Sequence, residues 1–139
     1  MYFAAFLSLS IITRGQNTQC DKCDVRHIKT VDKHFNSLNY KIVDQFLCSL
    51  DNKCDMNPKY CVLANKTLYA IAQKRPDLLV ICLTINTSLN KRYIYEHIKN
   101  PAGDYKLEDI KKGFETLRDT SNASKQIIFN IKLAQRKKR

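Results

Sequence analysis

Apolar residues recur at steps of three and four in four separate segments of the chain, the spacing that places side chains on one face of an α-helix. In the first, from Asp24 to Leu47, the residues Val25, Ile28, Val31, Phe35, Leu38, Ile42 and Phe46 form one stripe. Asp24 is suited to cap its start, because a carboxylate there accepts from the free amides of the first turn. Arg26, Lys29, Asp32, Lys33 and Asn36 fall outside the stripe. The second segment begins at Asn57-Pro58, a capping residue followed by proline at the first helical position. It carries Val62, Leu63, Leu68, Ala70, Ile71 and Ala72 as far as Lys74-Arg75, where Pro76 interrupts. The third starts at Asp77 with "DLLVICLTI", apolar nearly all round, the mark of the most buried helix. It runs to Leu89 or to Ile98, because the pattern of "RYIYEHI" (92–98) fits both more helix and a short strand. "NPAGD" (100–104) is a break. The fourth segment opens at Asp104 and carries Leu107, Ile110, Phe114, Leu117, Ser121, Ile128 and Ile131, with the polar "DTSNAS" (119–124) as a place to kink or stop.

Four amphipathic segments with one stripe each are expected to close around a common core as an all-α four-helix bundle. Only three glycines and three prolines occur in 139 residues, which argues against the many tight turns of a sandwich or barrel.

The start of the chain does not fit that core. Residues 2–12 are apolar apart from two serines. They are too few to span a bilayer, which takes about 20, and they match the core of a signal peptide, with Thr13 and Gly15 before a cleavage site at Gln16. The expected organisation is a signal peptide over 1–15, a helical domain over 16–135 and a basic tail over 136–139, in a secreted, extracellular protein. Export changes the reading of the six cysteines, Cys20, Cys23, Cys48, Cys54, Cys61 and Cys82: an even count in an exported chain is a disulfide framework. Six cysteines allow fifteen pairings. Proximity of helix ends suggests Cys48 with Cys82, and Cys20 and Cys23 with Cys54 and Cys61. A redox role for Cys20-Asp-Lys-Cys23 would need a strand-to-helix context, and the six-residue step from Cys54 to Cys61 is loose for a zinc knuckle. Export also gives meaning to the sequons at Asn65, Asn86 and Asn122 as glycosylation sites.

The formal charge is +11, and from 120 to 139 there are six cations and no acid. "QRKKR" reads as a solvated tail that contacts acidic glycans. Nucleic acid is not an expected partner of an exported chain. The histidines His27, His34 and His97 form no His-Glu-x-x-His pattern, and neither a phosphate loop nor Gly-x-Ser-x-Gly is present. No enzymatic constellation, cofactor or metal is expected.

Three stretches carry a resemblance. "KCDVRHIKTVDKHFNSL" (22–38), "KYCVLANKTLYAI" (59–71) and "YKLEDIKKGFETLRD" (105–119) are similar to the first, second and last helices of the interleukin-4 and interleukin-13 group of short-chain class I cytokines. The spacing of Cys54 and Cys61 instead resembles the interleukin-2/15/21 branch. The resemblance implies an up-up-down-down bundle whose long crossover, residues 90–104, joins the third helix to the fourth, so that the third helix ends at Leu89 and "RYIYEHI" is partly extended. It also agrees with a Cys48–Cys82 bridge. It implies a growth-factor-like function: assembly of type I cytokine receptor chains on immune cells, with a first chain bound by the first and third helices and a shared gamma-type chain by the fourth. Helical phase assigns Arg26, Lys29, Lys33, Lys91 and Arg92 to the first face and Lys111, Lys112 and Arg118 to the second. The alternative is a cationic, disulfide-rich helical effector, antimicrobial or toxin, that acts on anionic membranes.

Overall fold

The structure, a computed structural model, describes residues 20–138. The expected signal peptide (1–15), its cleavage site and Arg139 lie outside these residues.

Among the described residues there are seven α-helices, two short 3₁₀ segments and no strand. Asp24 caps α1 (Val25–Lys33), its carboxylate accepting from the Arg26 N–H, and the stripe buries Ile28 and Val31. The single helix expected to reach Leu47 is broken after Lys33. A 3₁₀ turn over Phe35–Ser37 leads to Asn39, whose extended backbone and side chain start a new helix, α2 (Tyr40–Cys48). Asn39 Oδ1 accepts from the Ile42 N–H at 3.0 Å. Ser and Asn compete with helical backbone hydrogen bonds through their own side chains, so "NSLN" favours a stop and a fresh cap over a helix interior.

A second 3₁₀ segment (Asn52–Met56) precedes α3 (Pro58–Lys74), where Asn57 Oδ1 accepts from the Tyr60 N–H at 3.2 Å. One residue, Arg75, separates α3 from α4 (Pro76–Ile85). The third helix therefore ends at Ile85, short of Leu89, because Asn86 Oδ1 takes the Ser88 N–H and hydroxyl and turns the chain. "RYIYEHI" is helical, not extended: Asn90 caps α5 (Lys91–Lys99), which buries Tyr93, Ile94 and Ile98. Packing of α5 along α7 decides a stretch whose pattern alone is ambiguous. The fourth segment divides into α6 (Leu107–Thr116) and α7 (Asn122–Lys137), with Ser121 capping the latter. Lys106, not Asp104, stands at the start of α6.

The helix α7 packs against α5, α6 and α4; α1 packs on α2 and α3, and α2 on α4. Leu68, Tyr69, Ile71, Leu79, Leu83, Ile94, Phe114, Ile127 and Ile131 are fully enclosed at the centre. No helix among the described residues is long and apolar enough to cross a membrane.

Two disulfides form, Cys20–Cys48 and Cys23–Cys54, while Cys61 and Cys82 are free thiols. The expected Cys48–Cys82 bridge is absent, because the two cysteines belong to opposite ends of α2. Cys82 is buried 3.8 Å from the Tyr40 carbonyl at the first residue of that helix, whereas Cys48 is its last. The end of α2 is met instead by the N-terminal segment: the Cys23 N–H bonds the Ser49 carbonyl at 2.9 Å and Lys22 Nζ the Cys48 carbonyl at 2.6 Å. Cys61, expected in a bridge, donates its thiol proton to the Cys54 carbonyl at 3.0 Å.

The basic end is not a free tail over its described part. Arg136 and Lys137 continue α7. Lys137 Nζ donates to Asn100 Oδ1, and Lys138 Nζ donates to Asp104 Oδ1 at 2.8 Å and to the Tyr105 carbonyl at 3.2 Å.

Candidate interaction surface

The two disulfides fix the start of α1 beside the start of α3. Arg26 folds back over Asp24 with three guanidinium bonds, 3.1 and 2.9 Å from Nε and 2.6 Å from Nη2, and also reaches Asp21 at 3.2 Å. The hydrogen bond from Arg26 holds the Asp24 carboxyl at about 2. Between α1 and α3 runs an open groove of ≈ 590 Å³, with Val25, Tyr60 and Leu63 as its apolar part and Lys22, Arg26 and Lys59 among its polar residues. Tyr60 is fixed from below by a 3.0 Å bond between its hydroxyl and Ser49 Oγ.

The cations expected to engage a partner are not equivalent. Arg26, Lys29 and Lys33 are all exposed on α1, but Arg26 is committed to Asp24 and Asp21. Lys91 and Arg92 open α5, whose main neighbours are α7 and α3, while α1 packs on α2 and α3; the first expected face is thus shared between helices set in different surroundings. Lys111 is clamped between Glu108 at 3.2 Å and Glu115 at 4.0 Å, with only 17% of its side chain exposed. Lys112 is exposed, as is Arg118, which follows α6 with a φ of 52°.

The sequons also divide. Asn65 is 2% exposed. Its amide nitrogen donates to the His97 and Asn100 carbonyls at 2.9 and 3.1 Å and lies 3.1 Å from His97 Nδ1. Its oxygen accepts from the Ala102 N–H at 2.8 Å. A side chain so engaged cannot carry a glycan in this fold, which corrects the expectation for Asn65. Asn86 is half-buried and donates to the buried Asp44 at 2.9 Å. Asn122 is exposed at the first position of α7.

Around Asn65 lie the remaining reactive groups. Tyr93 donates to Asp55 at 2.9 Å and its hydroxyl is 3.8 Å from Cys61 Sγ. Burial pushes the Tyr93 hydroxyl up, and the bond to Asp55 adds to it. Burial holds the His97 imidazole below its ordinary value, against the charge of Asp55. Because the Asn65 amide faces Nδ1, the neutral ring is the form that fits. No hydrogen bond joins Cys61 to His97 among the described residues, so thiol and imidazole are not arranged as a nucleophile and base. Burial raises the Cys82 thiol to about 12, which suppresses its thiolate. Among the described residues no three His, Cys, Asp or Glu side chains are placed to hold a metal ion.

Sequence reasoning passed over one surface, the outer side of α7, where Lys125, Phe129, Lys132 and Arg136 are exposed. The signal was available in the phase of the helix: once Ile127, Ile131 and Ala134 face inward, these four point outward. Compared with protein-family models, curated proteins and solved structures, the chain has no significant match.

Proposed function

We propose that the protein is a secreted ligand of the four-helix cytokine type that acts by assembling type I cytokine receptor chains. One observation carries this reading: the three stretches similar to interleukin-4 and interleukin-13 helices lie on α1, α3 and α6, with Lys29, Lys33, Lys59, Lys66 and Lys112 exposed. In this reading the α1–α2 hairpin stands in place of the first helix of an up-up-down-down bundle, α3 of the second, α4 of the third, and the α6–α7 hairpin of the fourth. Residues 86–106, with α5 inside them, are the crossover. The first receptor chain meets Arg26, Lys29 and Lys33, with Lys91 and Arg92 at its margin, and a shared gamma-type chain meets Lys112 and Arg118. Exposed charges of this kind govern the rate of encounter with an acidic partner more than the final affinity. Export is supported by the two disulfides and the apolar residues 2–12.

The test is binding of the mature protein to immobilised type I receptor ectodomains, the shared gamma chain included. Saturable binding is expected, with an association rate about tenfold slower for K29E/K33E. Failure to bind any chain of such a panel overturns the reading. A second reading, a cationic effector acting on anionic membranes, is favoured by the +11 charge and by the exposure of Met56, Ile85 and Phe129. Leakage of anionic liposomes at submicromolar protein would establish it instead.

A further inference from the structure

The helix α7 is amphipathic in an unusual sense: its outer side is a row of cations with no acids among them. Lys125, Phe129, Lys132 and Arg136 follow at steps of four, three and four residues, which keeps them on one line over about 16 Å. Among the described residues none of the three cations makes an ion pair. Adjacent α6 treats its charge differently, setting Lys111 between Glu108 and Glu115. Like charges at i and i+4, such as Lys132 and Arg136, oppose helix formation slightly, and α7 offers nothing of its own to offset them. In the middle stands Phe129, 54% exposed. Lys137 and Lys138, which the sequence alone would add to the basic cluster, are tied to Asn100 and Asp104. Among the described cations of α7, those left to bind a ligand are therefore the three on its outer face.

We propose that the outer face of α7 binds a sulfated glycosaminoglycan chain. Lys125, Lys132 and Arg136 each neutralise a sulfate or carboxylate along the polymer, and the ring of Phe129 lies against the C–H face of a sugar between them. The row is too long for a single small anion, which favours a linear polyanion. A lipid surface is disfavoured because the apolar side of α7 is buried in the core, leaving one large apolar side chain to insert. Single-stranded nucleic acid is held by several aromatic platforms along a basic groove, and this face has one ring and no groove. The proposal needs the protein to be extracellular, but it does not depend on receptor binding; the receptor panel and the measurements below fail independently.

The experiment is binding of the full mature chain to a size-defined heparin oligosaccharide across a range of salt concentrations. Circular dichroism verifies that each variant is folded. For K125Q/K132Q/R136Q the affinity is expected to fall at least tenfold at physiological salt. The slope of log affinity against log salt should fall by about 2, taking roughly 0.7 per charge as for a flexible single-stranded polyanion. K41Q/K53Q/K106Q, with the same change in charge at exposed lysines away from α7, should stay within about twofold of the native protein. Phe129→Ala should weaken binding several-fold and leave the salt slope unchanged. Equal losses in both triple variants would overturn the site, since binding would then follow net charge alone. Tighter binding to a single-stranded oligonucleotide, or to phosphatidylserine-containing vesicles, than to heparin would overturn the ligand class.

Discussion

The Asn65 amide completes three backbone groups of the α5–α6 connection, the carbonyls of His97 and Asn100 and the N–H of Ala102. Asn65→Ala would leave these groups without their partner in a site closed to water, at a cost of about 2 kcal/mol. Urea unfolding of the variant measures that loss. The same burial sets an expectation for intact-mass analysis of protein secreted from eukaryotic cells: Asn122 carries any glycan and Asn65 carries none. His97 links this node to pH. Its folded value lies below the ordinary 6.5 because burial disfavours the cation. The unfolded chain therefore binds the proton more readily. The contribution of His97 is fully present above pH 6.5 and is lost as pH falls towards the lowered folded value. Stability measured from pH 7.5 to 5.5 should decline, and the decline should flatten in His97→Gln.

At the scale of elements, the informative case is the break between α1 and α2. The positions Phe35, Leu38, Ile42 and Phe46 keep their three-four spacing straight through a 3₁₀ turn and a new cap, so periodicity does not register the interruption. The cap at Asn39 does the registering, and Asn39→Ala is expected to lose about 1 kcal/mol in a thermal or urea melt. Elements with a cap at the edge of their apolar run were legible beforehand, as at Asp24 and at Asn57-Pro58. The stop suspected within 119–124 lies at Leu117–Ser121, between α6 and α7. What escaped the sequence was decided by contacts distant along the chain. The helical state of 92–98 depends on α7, and the partner of Cys48 on how α1 returns along α2. The candidate surface divides in the same way. Exposure of the α1 cations follows from helical phase, whereas the capture of Lys111 by two glutamates and of Lys138 by Asp104 needs the folded geometry.

For the whole molecule, the cysteine pattern gives a direct test. Unfolded, unreduced protein should titrate with two thiols, from Cys61 and Cys82; in the native state Cys61 should react well ahead of Cys82, which is enclosed and shifted to about 12. Peptide mapping without reduction should recover Cys20 joined to Cys48 and Cys23 joined to Cys54; a Cys48–Cys82 peptide would contradict this fold. Replacing the Cys23–Cys54 pair with serines should cost about 2–4 kcal/mol. Both bridges lie within residues 20–54, and helices α3 to α7 are held to one another by packing and hydrogen bonds. That arrangement has a mechanical consequence. If the folded chain is pulled by its two ends, force entering at residue 23 passes through the Cys23–Cys54 bond and bypasses the 31-residue stretch between them. The oxidised chain should therefore extend about 100 Å less than the reduced one, at 3.3–3.6 Å per residue. Under load α1 and α2 would remain closed as a knot of fixed length while the five later helices unravel.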